Sequence, residues 1–129
     1  MGLLLAAAAA RADTALVIVT PQSIKGSTFK LTTKAARDHA VEFIITRNIK
    51  GIDGPGRAGY LTSTAEERKG LGTRVKLEER DDTLTFRFAV PEEKVAGSVF
   101  TLWGYGAAAG EPGVTYQFRL EQFWKLRKE

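Results

Sequence analysis

The chain has 129 residues, enough for one domain that buries roughly two-thirds of the surface exposed by its unfolded form. It has no cysteine and one histidine, which excludes disulfides, thiolate metal sites and cysteine nucleophiles. Lys and Arg number 19 against 15 Asp and Glu, and the net charge of +4 is well short of the concentrated positive charge of a nucleic-acid-binding domain.

The N-terminus has the pattern of a secretory signal peptide. Leu3 to Ala10 is an uninterrupted run of Leu and Ala, followed by the small-x-small site Ala10-Arg11-Ala12. We therefore predict that residues 1–12 are a signal peptide and that residues 13–129 form one periplasmic or secreted domain. No Lys or Arg precedes the run, as would follow if translation began upstream; an alanine-rich helix is the alternative. The run is too short for a membrane span, which needs about 20 residues.

The first half of the mature chain alternates strands with glycine-rich connections. Ala15 to Val19 is a short apolar run that ends before Pro21, which is typical of an edge strand. Similar patterns predict strands at Ser27–Lys34, Val41–Thr46 and Tyr60–Thr62, with loops at Ala35–His39 and Asn48–Gly59. The strand over Val41–Thr46 is expected to be central, because Ile44 makes its second face partly apolar.

The second half contains the clearest alternation. Thr83 to Val90 places Leu84, Phe86, Phe88 and Val90 on one face, and with the segment from Thr73 it predicts a hairpin. Pro91, two glutamates and Gly97 then predict a single-turn corner that carries the chain from one sheet to the other.

The last segments are richest in aromatic residues. Val99 to Tyr105 is apolar on both faces, so we interpret it as buried on both sides, with Trp103 in the core. Gly106 to Gly113 is interpreted as a hairpin tip. The alternation from Val114 to Leu126 predicts the longest strand of the domain, and only Gln122 breaks its apolar side.

This element pattern predicts an all-β fold, an antiparallel β-sandwich of about seven strands, with a small β-barrel as the alternative. Over residues 13–129 the arrangement resembles immunoglobulin-like and fibronectin-III-like sandwiches. The resemblance is one of architecture. The paired cysteines of antibody domains are missing and Trp103 lies in a late strand, so it implies no family function.

Few residues suggest catalysis. His39 lies beside Asp38 in a predicted loop without a neighbouring nucleophile, and the glutamate pairs have basic neighbours typical of charged surface. Asp53 and the turn Asp81-Asp82 lack the alternating carboxylates of a calcium site. No catalytic residue, metal ligand or cofactor site is predicted.

A binding surface is the remaining hypothesis. We expect it to use the two glycine-rich loops or an exposed strand edge, with aromatic and charged side chains at Asp53, Arg57, Tyr60, Tyr105 and Trp124. The sequence thus favours an exported, non-catalytic binding or accessory module whose partner is another protein or an envelope polymer. The alternatives are an enzyme that uses His39 or a carboxylate, and a basic binder of nucleic acid or another anionic polymer.

Overall fold

The structure is a computed structural model that describes residues 15–52, 55–62, 72–103 and 114–128, which form two stacked β-sheets. The strands are β1 (Ala15–Val19), β2 (Phe29–Ala36), β3 (Ala40–Asn48), β4 (Ala58–Thr62), β5 (Thr73–Val75), β6 (Leu77–Arg80), β7 (Thr83–Pro91), β8 (Val99–Trp103) and β9 (Val114–Arg119). Two 3₁₀ helices, η1 (Arg37–His39) and η2 (Glu92–Gly97), and the α-helix α1 (Leu120–Lys128) complete these segments. The predicted signal peptide lies outside the described residues and stays a prediction.

The five-stranded sheet has the order β1-β9-β8-β4-β5 and the four-stranded sheet the order β2-β3-β7-β6. All pairs are antiparallel except β1 with β9, which is parallel. If β2 is counted as strand A, the four-stranded sheet has the A-B-E-D order of an immunoglobulin sandwich. Strands β9, β8 and β4 of the five-stranded sheet then have its G-F-C order. The predicted β-sandwich is confirmed, and the described strands form no closed barrel.

The core is a set of phenylalanine rings that join the two sheets. Phe86 on β7 packs against Phe100 on β8 with ring centroids 5.1 Å apart, and Phe100 lies 5.8 Å from Phe118 on β9. All three side chains are fully buried. Since burial of one such side chain contributes about 1.5–3 kcal/mol, these rings are a main source of stability.

The alternation of the Thr83 segment is confirmed by burial of Leu84, Phe86 and Val90 on β7. The corner is confirmed as well, because η2 carries the chain from β7 in one sheet to β8 in the other. The predicted positions of β1 at an edge and of β3 in the interior of a sheet are also correct.

Three predictions about secondary structure are wrong, wholly or in part. The last strand ends at Arg119, and Leu120–Lys128 is the helix α1, because Leu120 and Phe123 lie three residues apart and bury one helical face. The predicted hairpin from Thr73 is confirmed only from Leu77, where β6 pairs with β7; β5 pairs instead with β4 in the five-stranded sheet. The predicted loop Ala35–His39 is the end of β2 followed by η1.

Gly59 on β4 faces the core directly under the phenylalanine rings. A Cβ atom at this position would lie 2.6 Å from Cζ of Phe100 and 2.9 Å from Cε1 of Phe86. We expect Gly59→Ala to lower the free energy of unfolding by about 1–3 kcal/mol, because buried rings must move to make room. Urea denaturation would measure this loss.

A double-mutant cycle with Phe100→Leu provides the control. Leu lacks the ring atoms that the new methyl group would meet, so Gly59→Ala should cost clearly less in that background. An equal cost in both backgrounds would show that ring contact is not the reason for the glycine.

Candidate functional site

The outer face of the five-stranded sheet is the most unusual surface of the described chain. The strand registers place on it the side chains of Leu16, Ile18, Tyr60, Val99, Thr101, Trp103, Thr115 and Gln117, a set that we call the uncharged face. Within this set Leu16 is exposed, Thr115 is buried, and the others are half-buried. The five strands of this sheet contain no Asp or Glu. Their only charged residues, Arg74 and Arg119, lie on β5 and at the end of β9.

The four-stranded sheet shows the opposite pattern on its outer face. Lys34 on β2 forms an ion pair with Glu42 on β3, with Nζ and Oε1 3.4 Å apart. Further charged residues on this side are Lys30, Glu78, Arg80 and Arg87. Charged outer residues are the usual composition for a sheet with one solvated side, so the uncharged face is the exception within this fold.

Two large aromatic side chains lie on adjacent strands of the uncharged face. Tyr60 on β4 is opposite Thr101 on β8, and Trp103 is opposite Ala58, so Tyr60 and Trp103 are diagonal neighbours on adjacent strands. Both are half-buried. The interpretation of Trp103 as a core residue is therefore wrong: Phe100 and Leu102 face the core, and Trp103, with the parity of Thr101, faces outward.

Of the residues predicted to form a binding surface, Arg57, Tyr60 and Trp124 are described, and they lie on different elements. Tyr60 lies on the uncharged face, where its ring is 5.8 Å from the guanidinium carbon of Arg74. Trp124 lies on α1, which packs against η2 and β2. Asp53 and Tyr105 lie outside the described residues, as does the predicted tip Gly106–Gly113.

Arg57 precedes β4 and makes a bidentate ion pair with Glu79 of β6. Its Nε donates to Oε1 of Glu79 at 2.8 Å, and its Nη2 donates to Oε2 at 3.1 Å. These hydrogen bonds lower the pKa of Glu79 and raise the pKa of Arg57 from their ordinary values. The pair is largely exposed, so it adds little to stability, and Arg57 is already engaged by its own chain.

His39 lines a cleft of about 480 Å³ together with Asp38, Glu92 and Trp124. Within the described part of the chain, His39 makes no hydrogen bond or ion pair with a carboxylate. The paired acid and base that the enzyme alternative requires are therefore not assembled by these residues. Among the same residues, no group of three or more His, Asp or Glu is arranged to hold a metal ion.

Arg47 is a buried cation near one end of the sandwich, with only 7% of its surface exposed. Its guanidinium carbon lies 4.9 Å from the ring centroids of both Phe29 and Tyr116, and its Nη2 donates to the Tyr116 hydroxyl at 3.3 Å. Nε donates to Oγ1 of Thr28. Burial lowers the pKa of Arg47, and the contact with Tyr116 partly opposes this shift. Arg47 therefore joins the two sheets and is not part of the uncharged face.

No helix of the described segments is long and apolar enough to cross a membrane. Comparison with protein-family models, curated proteins and solved structures finds no match to the chain. The function is therefore inferred from the geometry of the chain itself.

The hydrogen bond from Arg47 to Tyr116 can be tested by mutation. We expect Tyr116→Phe to lower the free energy of unfolding by about 1–3 kcal/mol, because a buried charged donor loses its acceptor. Tyr60→Phe is the matched control, since Tyr60 stands on an outer face, and should change stability by less than about 0.5 kcal/mol. Equal effects of the two changes in urea denaturation would contradict a special role for Tyr116.

The ion pair of Arg57 predicts how Glu79 titrates. Because Arg57 holds the pKa of Glu79 low, the stability from this pair is present above the unfolded pKa and is lost as pH falls through the folded pKa. Arg57→Gln should raise the pKa of Glu79, as measured by NMR titration of its side-chain carboxyl carbon. Arg80→Gln removes the same charge from the neighbouring residue and should leave the pKa of Glu79 nearly unchanged; equal shifts would contradict the pair.

Proposed function

We propose that the protein is an exported, non-catalytic binding module that contacts another protein through the uncharged face. The observation that carries the proposal is the contrast between the two sheets. One outer face carries charged residues on all four strands, whereas the other has no acidic residue and has arginines only at its margins. The export part of the proposal rests on the apolar run and cleavage pattern at the N-terminus.

The composition of the uncharged face supports a protein partner. The centres of protein–protein interfaces are depleted of charged residues and enriched in Tyr and Trp, and truncation of such aromatic residues is often the most costly. Tyr60 is opposite Thr101, and Trp103 is two residues from Thr101 on the same strand, so both rings lie next to a small polar side chain. This arrangement has the aromatic anchors and the uncharged surroundings of an interface core.

The positions of the cations argue against an anionic polymer as the ligand. Arg74 is on β5 and Arg119 on β9, with β4 and β8 between them. Three strand spacings separate these strands, roughly 14 Å in all. An anionic chain is bound by a continuous row or patch of cations, and the two arginines do not form one.

A pair of matched lysine substitutions tests the proposal. Thr101 lies half-buried on the uncharged face between Tyr60 and Gln117, and Thr85 lies half-buried on the other outer face between Thr46 and Glu78. Thr101→Lys places a charge at the centre of the proposed interface, whereas Thr85→Lys adds one to a face that is already charged. Both variants should fold, as circular dichroism and thermal melting would verify.

The measurement is capture of proteins from the envelope fraction of the source cell by immobilised wild type and variants. We expect a protein that binds the wild type and Thr85→Lys equally, and whose retention falls more than about tenfold with Thr101→Lys. Equal retention by both variants, or equal loss, would contradict the uncharged face as the binding surface.

A further inference from the structure

Strand β1 is an edge strand with exposed apolar side chains. It lies at the end of the five-stranded sheet and pairs only with β9 in the described chain, so the backbone groups on its other side have no strand partner there. Leu16 is 59% exposed and Val17 is 40% exposed, and they are the two large apolar side chains that stand out in solvent among the described residues. The most exposed apolar surface and an open backbone edge therefore coincide.

The exposure extends to both sides of the strand. Leu16 is opposite Thr115 and faces outward, whereas Val17 is opposite Tyr116 and faces the core side of the sheet. Successive residues of a strand point to opposite faces, so Val17 is exposed on the side that faces the four-stranded sheet. The four-stranded sheet therefore does not cover β1 at this position. A strand added beside β1 would contact both of these side chains as well as the open backbone.

The other three sheet edges carry charges that oppose such pairing. β2 has Lys30 and Lys34, β5 has Arg74, and β6 consists largely of Glu78, Glu79 and Arg80. Charged residues on edge strands are a common protection against edge-to-edge association. β1 has the sequence ALVIV and no such protection.

We propose that β1 is a self-association edge, where two copies of this chain pair antiparallel across a twofold axis near Val17. This register places Val17 opposite its own copy and Leu16 opposite Ile18 of the other chain. Every such pair is aliphatic, and no like charges meet at the axis. The result is one continuous sheet with five strands from each copy, ten in all.

The contact is short, so the dimer is expected to be reversible and weak. A five-residue strand supplies less area than a standard stable interface, and its affinity is expected in the micromolar range, with Kd of about 1–100 µM. This proposal does not rest on the binding function of the uncharged face, because it concerns backbone pairing at the edge and its test involves no other protein.

Analytical ultracentrifugation of the purified protein over a range of concentrations is the primary test. We expect a monomer–dimer equilibrium whose Kd rises more than about tenfold in Val17→Lys, since two lysines then meet at the axis. Thr32→Lys, on the exposed β2 edge, is the matched control and should leave Kd unchanged. A monomer at every concentration, or a dimer that Val17→Lys does not weaken, would overturn the proposal.

Cysteine crosslinking gives a second readout that does not depend on a lysine. Because the chain has no cysteine, L16C, V17C and I18C each introduce a single thiol. V17C should form a disulfide dimer on mild oxidation, because the proposed register places residue 17 opposite its own copy. L16C and I18C should crosslink less, because each faces the other position, and T32C should not crosslink. Absence of the V17C crosslink would also overturn the proposal, as would protection of β1 from hydrogen exchange only when a different protein is added.

Discussion

The contact of Phe86, Phe100 and Phe118 across the two sheets is the constraint on which the rest of the structure depends. Phe100 lies between the other two, at 5.1 Å from Phe86 and 5.8 Å from Phe118, so it holds β7 of one sheet against β8 and β9 of the other. The same rings leave no space for a side chain at position 59, which is why β4 contains a glycine where a sheet normally has a β-branched residue. Arg47 closes one end of this core with Phe29 and Tyr116.

Because the ring cluster already supplies an apolar interior, the stability of the sandwich does not require apolar residues on its outside. The four-stranded sheet has charged residues on its outer face, where Lys34 and Glu42 form an ion pair. The five-stranded sheet differs, with the half-buried side chains of Val99, Trp103 and Ile18 on its outer face. This difference between the two sheets is the physical basis of the proposed contact with another protein.

Sequence periodicity predicted the elements whose pattern is local. The alternation around Phe86, the corner after Pro91 and the edge position of Ala15–Val19 all follow from neighbouring residues, and all are correct. The helix α1 was missed because Leu120, Trp124 and Leu126 also fit a period of two. Gln122 and Phe123 do not fit the two-residue alternation of a strand, and they are the signal for a helix, because Leu120 and Phe123 share one helical face.

The uncharged face could not be predicted by the same means, because it depends on pairing between distant segments. β1 lies beside β9, and β4 lies beside β8, so Leu16, Tyr60 and Thr115 share a surface although they are far apart in the chain. Trp103 was assigned to the core because its strand is apolar on both sides, and one strand alone does not show which side is covered. Only the registers separate the buried Phe100 from the outward Trp103.

The open edge and the uncharged face belong to the same sheet, and this has a consequence for binding. Pairing of two β1 strands would place two uncharged faces in one continuous sheet, related by a twofold axis and held at a fixed separation by backbone hydrogen bonds. A partner with two copies of its own site could then bind both faces at once. Linked sites of this kind can raise the overall affinity by about 10²–10⁴ without any new contact, so a weak edge contact is sufficient to change how strongly the face binds.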